Sequence, residues 1–373
     1  MGCTIVVGGQ YGSEGKGKVV ALETARQACP WVVRCGGPNS GHTVDVNGRS
    51  VVLRQVGAGI RHPEARLLLA AGCVVDETIL ASEIAELSLP RERIIVDPRA
   101  VLVTDADKEA ERPSVETIGS TASGTGAALM RRISRRPDVL LAGESKQLAE
   151  IARVESVAPL LHEQLQHGAD VIIEGTQGFG LSLLHGTAYP FVTAKDTTAA
   201  AFISEVGISP LDVTEIVLVI RTLPIRVGGN SGQLAAETDW NEIQRISGAP
   251  SVAPEYTSVT RRLRRVGRFD MELVKAACRY NQPTSIAVMG LDRLEYRNYG
   301  VRSAADLTDR ATEFIRQLEN ETKVPVRWAG TGFGTDDVVR FDTTSIPSSR
   351  LMPSSQASAR RVRRPANGET LVR

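Results

Sequence analysis

The chain has little of what marks a special environment. Its five cysteines, Cys3, Cys29, Cys35, Cys73 and Cys278, are odd in number and scattered. They lack metal-ligand spacing and fit a reduced, cytoplasmic protein. Five histidines form no H-x-x-x-H pair, so a transition-metal site built from protein alone is not expected. No apolar run reaches the roughly 18 residues of a membrane span. The first residues enter a strand-like run without the basic and apolar regions of a secretory leader, so no leader is expected. A net charge of +1 gives no general pull toward nucleic acid or membrane, and neither is expected as a partner. With 42% hydrophobic and 23% charged residues in 373, the composition is that of a globular protein with a sizeable core.

Glycine, by contrast, is abundant and placed at the ends of apolar runs. The first run, Cys3 to Val7, reads as a buried strand, and Lys16 to Gln27 as a helix. Between them Gly8 to Lys18 holds five glycines and two lysines in eleven residues. A glycine-rich turn that opens a helix presents backbone N–H groups and the positive end of the helix dipole, for which an anion is the natural guest. Gly12 to Lys18 satisfies the spacing G-x-x-x-x-G-K. Val19 follows where a standard P-loop has the Ser or Thr that helps hold magnesium. Any metal on a triphosphate bound here must therefore be held elsewhere.

The pattern repeats down the chain. Strand-like runs at Trp31–Arg34, Val51–Gln55, Leu67–Ala71, Ile94–Val96, Val171–Glu174, Ile216–Ile220, Ser285–Met289 and Val324–Trp328 alternate with helix-like ones. The helical pattern covers Glu77–Glu86 behind Asp76, Ser145–Gln166 and Asp306–Thr322. Glycine- and hydroxyl-rich turns stand at Gly36–Thr43, Ile118–Gly126, Gly175–Gly178, His185–Thr198, Arg226–Gly232 and Ala329–Gly334. The alternation predicts an α/β fold, a mainly parallel central sheet flanked by helices, with a P-loop-like nucleotide site along the strand ends.

Two basic stretches stay open on residue type alone. Arg131, Arg132, Arg135 and Arg136 fit a solvated helix face or a phosphate contact. Five arginines between Arg261 and Arg268 fit a nucleic-acid patch or a carboxylate-gripping loop. Residues 1–342 read as one catalytic domain. Residues 343–373, rich in Ser, Arg and Pro with Glu369 as the only acid, read as a flexible tail.

Taken in order, the Gly8–Lys18 loop, GGPNSGHT, IGST with its later arginines, EGTQG, HGTAYPFVT, the arginine loop, GLD and AGTG resemble adenylosuccinate synthetase along the chain to about Asp342. Members of that family phosphorylate the 6-oxygen of a purine nucleotide with a nucleoside triphosphate and Mg2+. Aspartate then displaces the phosphate. The resemblance implies that His42 and Gln177 handle the 6-oxygen and that Lys16 and Lys18 contact phosphates. It implies a donor along Gly12, Ser13, Gly15, Lys16, Gly17, Lys18, Val19, Gly41, His42 and Thr43, its base near Asp292, Gly330, Thr331 and Gly332. The acceptor would meet Ser13, Asn39, Thr121, Gln177 and Thr193, with Arg135 arriving from a neighbouring subunit, hence a homodimer. Aspartate would meet Thr260, Arg262 and Arg264. The Gly41 carbonyl would ligate the metal, with Ser13 beside it.

Three positions depart from the family pattern. The usual GDEGKGK is GSEGKGK here, and the missing aspartate is the family's base for N1 of inosinate and a metal ligand. Ser13 is neutral and a poor base. It leaves room for the 2-amino group of guanine, the mark of a phage-type branch that joins aspartate to dGMP on the way to 2-aminoadenine DNA. The resemblance to that branch implies dGMP, L-aspartate and ATP or dATP as substrates, in a host cytoplasm. The alternatives are an enzyme acting on inosinate with GTP, or a catalytically silent nucleotide-binding protein. At the donor base, Met289-Gly290-Leu291-Asp292 replaces T-K-L-D, so the lysine that suits guanine is gone. The aspartate loop has Arg261 for glycine and Leu263 for proline.

Overall fold

In the computed structural model, residues 2–46, 48–257 and 262–341 are described. Thr260, Arg261 and the tail 343–373 lie outside the described residues. Ten strands build the main sheet: β1 (Gly2–Gly8), β2 (Trp31–Arg34), β3 (Arg66–Leu69), β4 (Ile94–Val96), β5 (Arg153–Val154), β6 (Asp170–Glu174), β7 (Val213–Arg221), β8 (Ser285–Met289), β9 (Val326–Gly330) and β10 (Val338–Arg340). Their order is β10-β9-β8-β7-β1-β6-β2-β3-β4-β5. Every pairing is parallel except β9 with β10. The mainly parallel sheet expected from the alternation is therefore present.

Parallel strands covered by helices on both faces read as unbroken apolar runs. Ile5, Val6, Val7, Val32, Val33, Ile173, Val217 and Val288 are fully buried accordingly. β6 enters between β1 and β2, so the strand order reverses around the centre of the sheet. The carboxyl ends at such a reversal form the crevice where an open α/β sheet binds ligands. The Gly8–Lys18, Gly36–Thr43 and Gly175–Gly178 turns leave β1, β2 and β6 at that edge.

Several boundaries differ from the sequence reading, among them the first helix, which ends at Thr24 and not at Gln27. The helix expected over Ser145–Gln166 is two helices, Lys146–Ile151 and Val157–Gln166, with the short edge strand β5 between them. The second helix starts where Asp97 accepts a hydrogen bond from Val157 N at 2.9 Å, so a distant carboxylate sets the break. The late helix begins at Asp309, capped by Thr308, and not at Asp306. The last parallel strand starts at Val326, because Pro325 has no N–H to give the ladder. The run Val51–Gln55 forms no part of the main sheet; Arg49–Leu53 pairs with His42–Val46 as a hairpin.

Candidate active site

The helix α1 (Lys16–Thr24) starts directly behind Gly15, whose φ of 99° places it in the left-handed region. No side chain caps that terminus, so its first N–H groups are free for a ligand. The turn before it is tied together by Glu14. One carboxylate oxygen accepts from Gln10 N at 3.1 Å and from Gly12 N at 2.8 Å, and the other from Lys16 Nζ at 2.8 Å. Lys16 Nζ also donates to the Gln177 carbonyl, joining the β1 and β6 turns. Gly8 must be glycine: a Cβ there would lie 2.5 Å from that carbonyl and 2.7 Å from Glu14 Oε2. Gly8→Ala is expected to cost about 1–3 kcal/mol through overpacking, read as a lower urea midpoint.

Next to this turn, strand ends deliver a buried charge cluster. Arg34 and Glu174 are register partners on β2 and β6. Arg34 Nη1 donates to Glu174 Oε1 at 2.8 Å, and Ala58 N donates to Oε2 at 2.6 Å. His42 Nδ1 meets the same Oε1. Burial, with the Arg34 cation beside it, pushes the imidazole well below its ordinary range. Burial pushes Glu174 up, but its contacts with His42 and with the Arg34 cation outweigh it and hold the carboxyl below its usual range. His42 is therefore a neutral ring that donates Nδ1–H to an ionised Glu174, and Nε2 is its free nitrogen. Arg34 Nη1 also lies 2.9 Å from Nδ1, but an ionised carboxylate can only accept, so the proton is assigned to Nδ1.

Ser13 has φ 59°, a left-handed conformation uncommon outside glycine. Two arginines grip it. Arg264 Nη1 donates to its hydroxyl, and Arg221 Nη1 donates to its carbonyl at 3.2 Å. Arg221 also forms a forked pair with Glu255 at 2.6 and 3.0 Å.

These groups border a cavity of about 550 Å³. Of the residues expected from sequence, Ser13, Gly15, Lys16, Gly17, Lys18, Gly41, His42, Thr43, Arg264, Asp292 and Gly332 line it. Lys18 Nζ donates to the carbonyls of Gly332 at 3.1 Å and Asp337 at 2.7 Å, binding the phosphate-type turn to the last loop. Burial lowers the Lys18 pKa to about 8. Burial raises that of Asp292, which sits beside Arg293 at 3.5 Å. A second cavity of about 670 Å³ shares Asp45, Gly334 and Thr335 with it but is lined by no residue of the Gly8–Lys18, Gly36–Thr43 or Gly175–Gly178 turns.

The remaining expected residues do not line the 550 Å³ cavity. Gln177, at φ 56°, holds its side-chain oxygen over Gly12, 3.6 Å from where a Cβ would be. Asn39 Nδ2 reaches Thr193 Oγ1 at 3.5 Å, so these two meet. Thr121 donates to Ser123 Oγ at 3.1 Å. Val19 is core, as is the Thr331 side chain, which donates to the Val301 carbonyl. Gly330 is buried at the end of β9. Arg262 is exposed, and its side chain runs beside Gly228 and Gly229. Arg131 and Arg136 are absorbed by Asp107 and Asp138, and Arg132 by the Ala71 carbonyl. Arg135 is exposed and has no side-chain partner among the described residues.

Arg34, Glu174, Arg221 and Glu255 were not singled out from the sequence. A charged residue closing an otherwise apolar strand, as in Trp31-Val32-Val33-Arg34 and Val171-Ile172-Ile173-Glu174, is the signal that could have found the first two.

Among the described residues no cluster of three or more His, Cys, Asp or Glu could hold a metal ion. Gly41, whose carbonyl the resemblance implies as a metal ligand, lines the cavity, and backbone oxygens of this kind fit a Mg2+ held chiefly by phosphate oxygens and water. The Ser13 hydroxyl is committed to Arg264, and a guanidinium beside it disfavours a second cation.

The family model for adenylosuccinate synthetase matches residues 5–142 and 139–299. The adenylosuccinate synthetase of Methanocaldococcus jannaschii is 40% identical over 337 residues, covering 88% of this chain and 94% of that protein. That of Archaeoglobus fulgidus is 38% identical, covering 89% and 96%. The structure of cyanophage S-2L succinoaminodeoxyadenylate synthetase (PurZ), bound to dGMP and to dATP as an energy donor, superposes with a TM-score of 0.76 at 28% identity, covering 91% of this chain and 95% of that one. Fully ligated adenylosuccinate synthetase from Plasmodium falciparum shares the fold, with a TM-score of 0.79 at 19% identity over 91% and 99%. With the glycine turns, the His42–Glu174 pair and the Asp292 loop gathered at one sheet edge, the chain belongs to the adenylosuccinate synthetase family of carbon–nitrogen ligases.

Proposed function

We propose that the enzyme joins L-aspartate to the 6-position of dGMP, with ATP or dATP as phosphoryl donor, giving N6-succino-2-amino-2'-deoxyadenylate. The observation that carries this reading is Ser13. It puts a neutral hydroxyl at the cavity where the family has a carboxylate, and the neighbouring Glu14 is wholly engaged by Gln10, Gly12 and Lys16. A hydroxyl already accepting from Arg264 has one lone pair left for the 2-amino group of guanine. The structural likeness to a protein bound to dGMP and dATP supports the same reading.

In this reading His42 Nε2 faces the 6-oxygen, held in place by Glu174 through Nδ1. Lys16 and Lys18 counter the charge on the transferring phosphoryl group, and α1 directs its N–H groups toward it. Magnesium, when bound on the phosphates, offsets further negative charge. Asn39, Thr121, Gln177 and Thr193 embrace the acceptor. Arg262 and Arg264, with Thr260, hold the aspartate carboxylates. The unpartnered Arg135 reaches the acceptor phosphate of a second copy, which makes the working unit a homodimer.

A second reading, adenylosuccinate synthetase acting on inosinate with GTP, is favoured by the 40% identity to a protein of that name. Phosphate release with magnesium and aspartate separates the two. The first requires turnover with dGMP that IMP and GMP do not match, in the presence of ATP or dATP. Robust turnover with IMP and none with dGMP would overturn it.

The Lys18 pKa gives a further expectation. Below pH 8 the ammonium is charged and attracts the triphosphate; above it the charge is lost. The donor KM is therefore expected to rise through pH 8 to 9, and Lys18→Arg, which stays charged, to flatten that rise.

A further inference from the structure

The cavity carries two large aromatics that no role above uses, Tyr256 and Phe333, and Phe333 is the more exposed. Phe333 is 71% exposed and lines the cavity. A single exposed ring is ordinary on a protein surface. This one is held in a built setting. Arg293 lies over the ring, its Cζ 5.2 Å from the centroid. Arg293 is itself buried and is 3.5 Å from the buried Asp292 carboxylate. The loop that presents the ring is fixed on both sides. A Cβ on Gly332 or Gly334 would lie 2.7 or 2.8 Å from Asp337 Oδ2, and that oxygen accepts from Gly334 N at 2.9 Å. Lys18 donates to the carbonyls of Gly332 and Asp337. The ring thus stands at a set position relative to the phosphate-type turn.

We propose that Phe333 is the stacking wall of the donor-base subsite, taking a purine base against its open face while Arg293 covers the other. This rests on the reading that the donor's phosphates lie on Gly12–Lys18 and its base near Asp292. A ring face attracts any purine, whereas a carboxylate reads the base edge. The site therefore divides its work: Phe333 supplies base affinity without choosing between adenine and guanine, and the choice is left to Asp292. Such a wall substitutes for the contact a lysine would make from position 290, where this chain has Gly290 at φ 85°.

The test is equilibrium binding to the full chain with magnesium and no acceptor, using ATP, GTP and inorganic tripolyphosphate as probes. Phe333→Ala is expected to weaken ATP and GTP about tenfold alike, within the range of one base–aromatic stack. Tripolyphosphate binding should not change. Phe333→Tyr should restore nucleotide binding, and Phe333→Leu should do so only in part. Unchanged ATP binding in Phe333→Ala overturns the proposal. So does an equal loss for tripolyphosphate, which would mean the ring acts through the shape of the loop. A wild-type chain that binds tripolyphosphate but neither nucleotide overturns it together with the donor reading. Because no acceptor is present, failure of dGMP as substrate leaves the outcome untouched.

Discussion

Glu174→Ala is expected to lower turnover by about two to three orders of magnitude, the range of a lost acid–base group, and to destabilise the fold by about 3–5 kcal/mol. Both losses have one origin. The carboxylate is fully buried and shared by Arg34, His42 Nδ1 and Ala58 N. Removing it leaves the Arg34 cation buried without its partner and frees the imidazole to turn. Glu174→Gln separates the two effects. The amide oxygen still accepts from Nδ1–H, so turnover should fall less than in the alanine variant. The charge is gone, so much of the stability loss should remain. Urea unfolding and kcat at saturating substrates measure both, and the donor KM should stay near the wild-type value. Equal turnover in the alanine and glutamine variants would show that the carboxylate does not orient His42.

Ser13→Asp is expected to cut kcat/KM for dGMP by about 10–100-fold, the scale on which a pocket rejects a misfitting group, and to raise that for IMP. A carboxylate at position 13 crowds the 2-amino group of guanine and supplies the base that N1 of inosinate needs. It also meets Arg264, which already donates to the Ser13 hydroxyl. An ion pair there draws the guanidinium from the aspartate contact proposed for it, so the KM for aspartate should rise with either acceptor. The ratio of kcat/KM for dGMP and IMP is the readout. Unaltered dGMP turnover would sink the account of Ser13.

Much of this was legible because the sheet writes itself plainly. Cys3–Val7, Trp31–Arg34 and Ser285–Met289 are apolar runs ending in glycine turns, and they became central strands with their turns at one edge. The glycine turns also gave the cavity-lining residues, since close backbone approach and free N–H groups are local properties. Long-range partners are not local. Asp97, far along the chain from Val157, decides where one helix starts. Glu255 became part of the site only because Arg221 lies at the end of β7. The family resemblance supplied roles for Asn39, Thr121 and Thr193 that residue type alone would not have assigned. Thr260 lies outside the described residues, and Arg262 does not line the cavity, so that loop is the part of the site least tied to geometry.

The pairing of Arg34 with Glu174 also bears on how the chain finds its native alignment. Val32, Val33, Ile172 and Ile173 are interchangeable to a sliding neighbour, because each is an apolar residue buried on both faces. Hydrophobic pattern alone therefore discriminates poorly between β2 and β6 aligned as they are and offset by a step. The terminal charges do discriminate. In the native alignment Trp31 faces Val171 and Arg34 faces Glu174. Any offset strands two charges in a dry interior, at a cost of several kcal/mol for each ion. The same two residues that orient the imidazole thus act as a key that only one alignment turns, and the catalytic edge is assembled in the act of zipping the sheet.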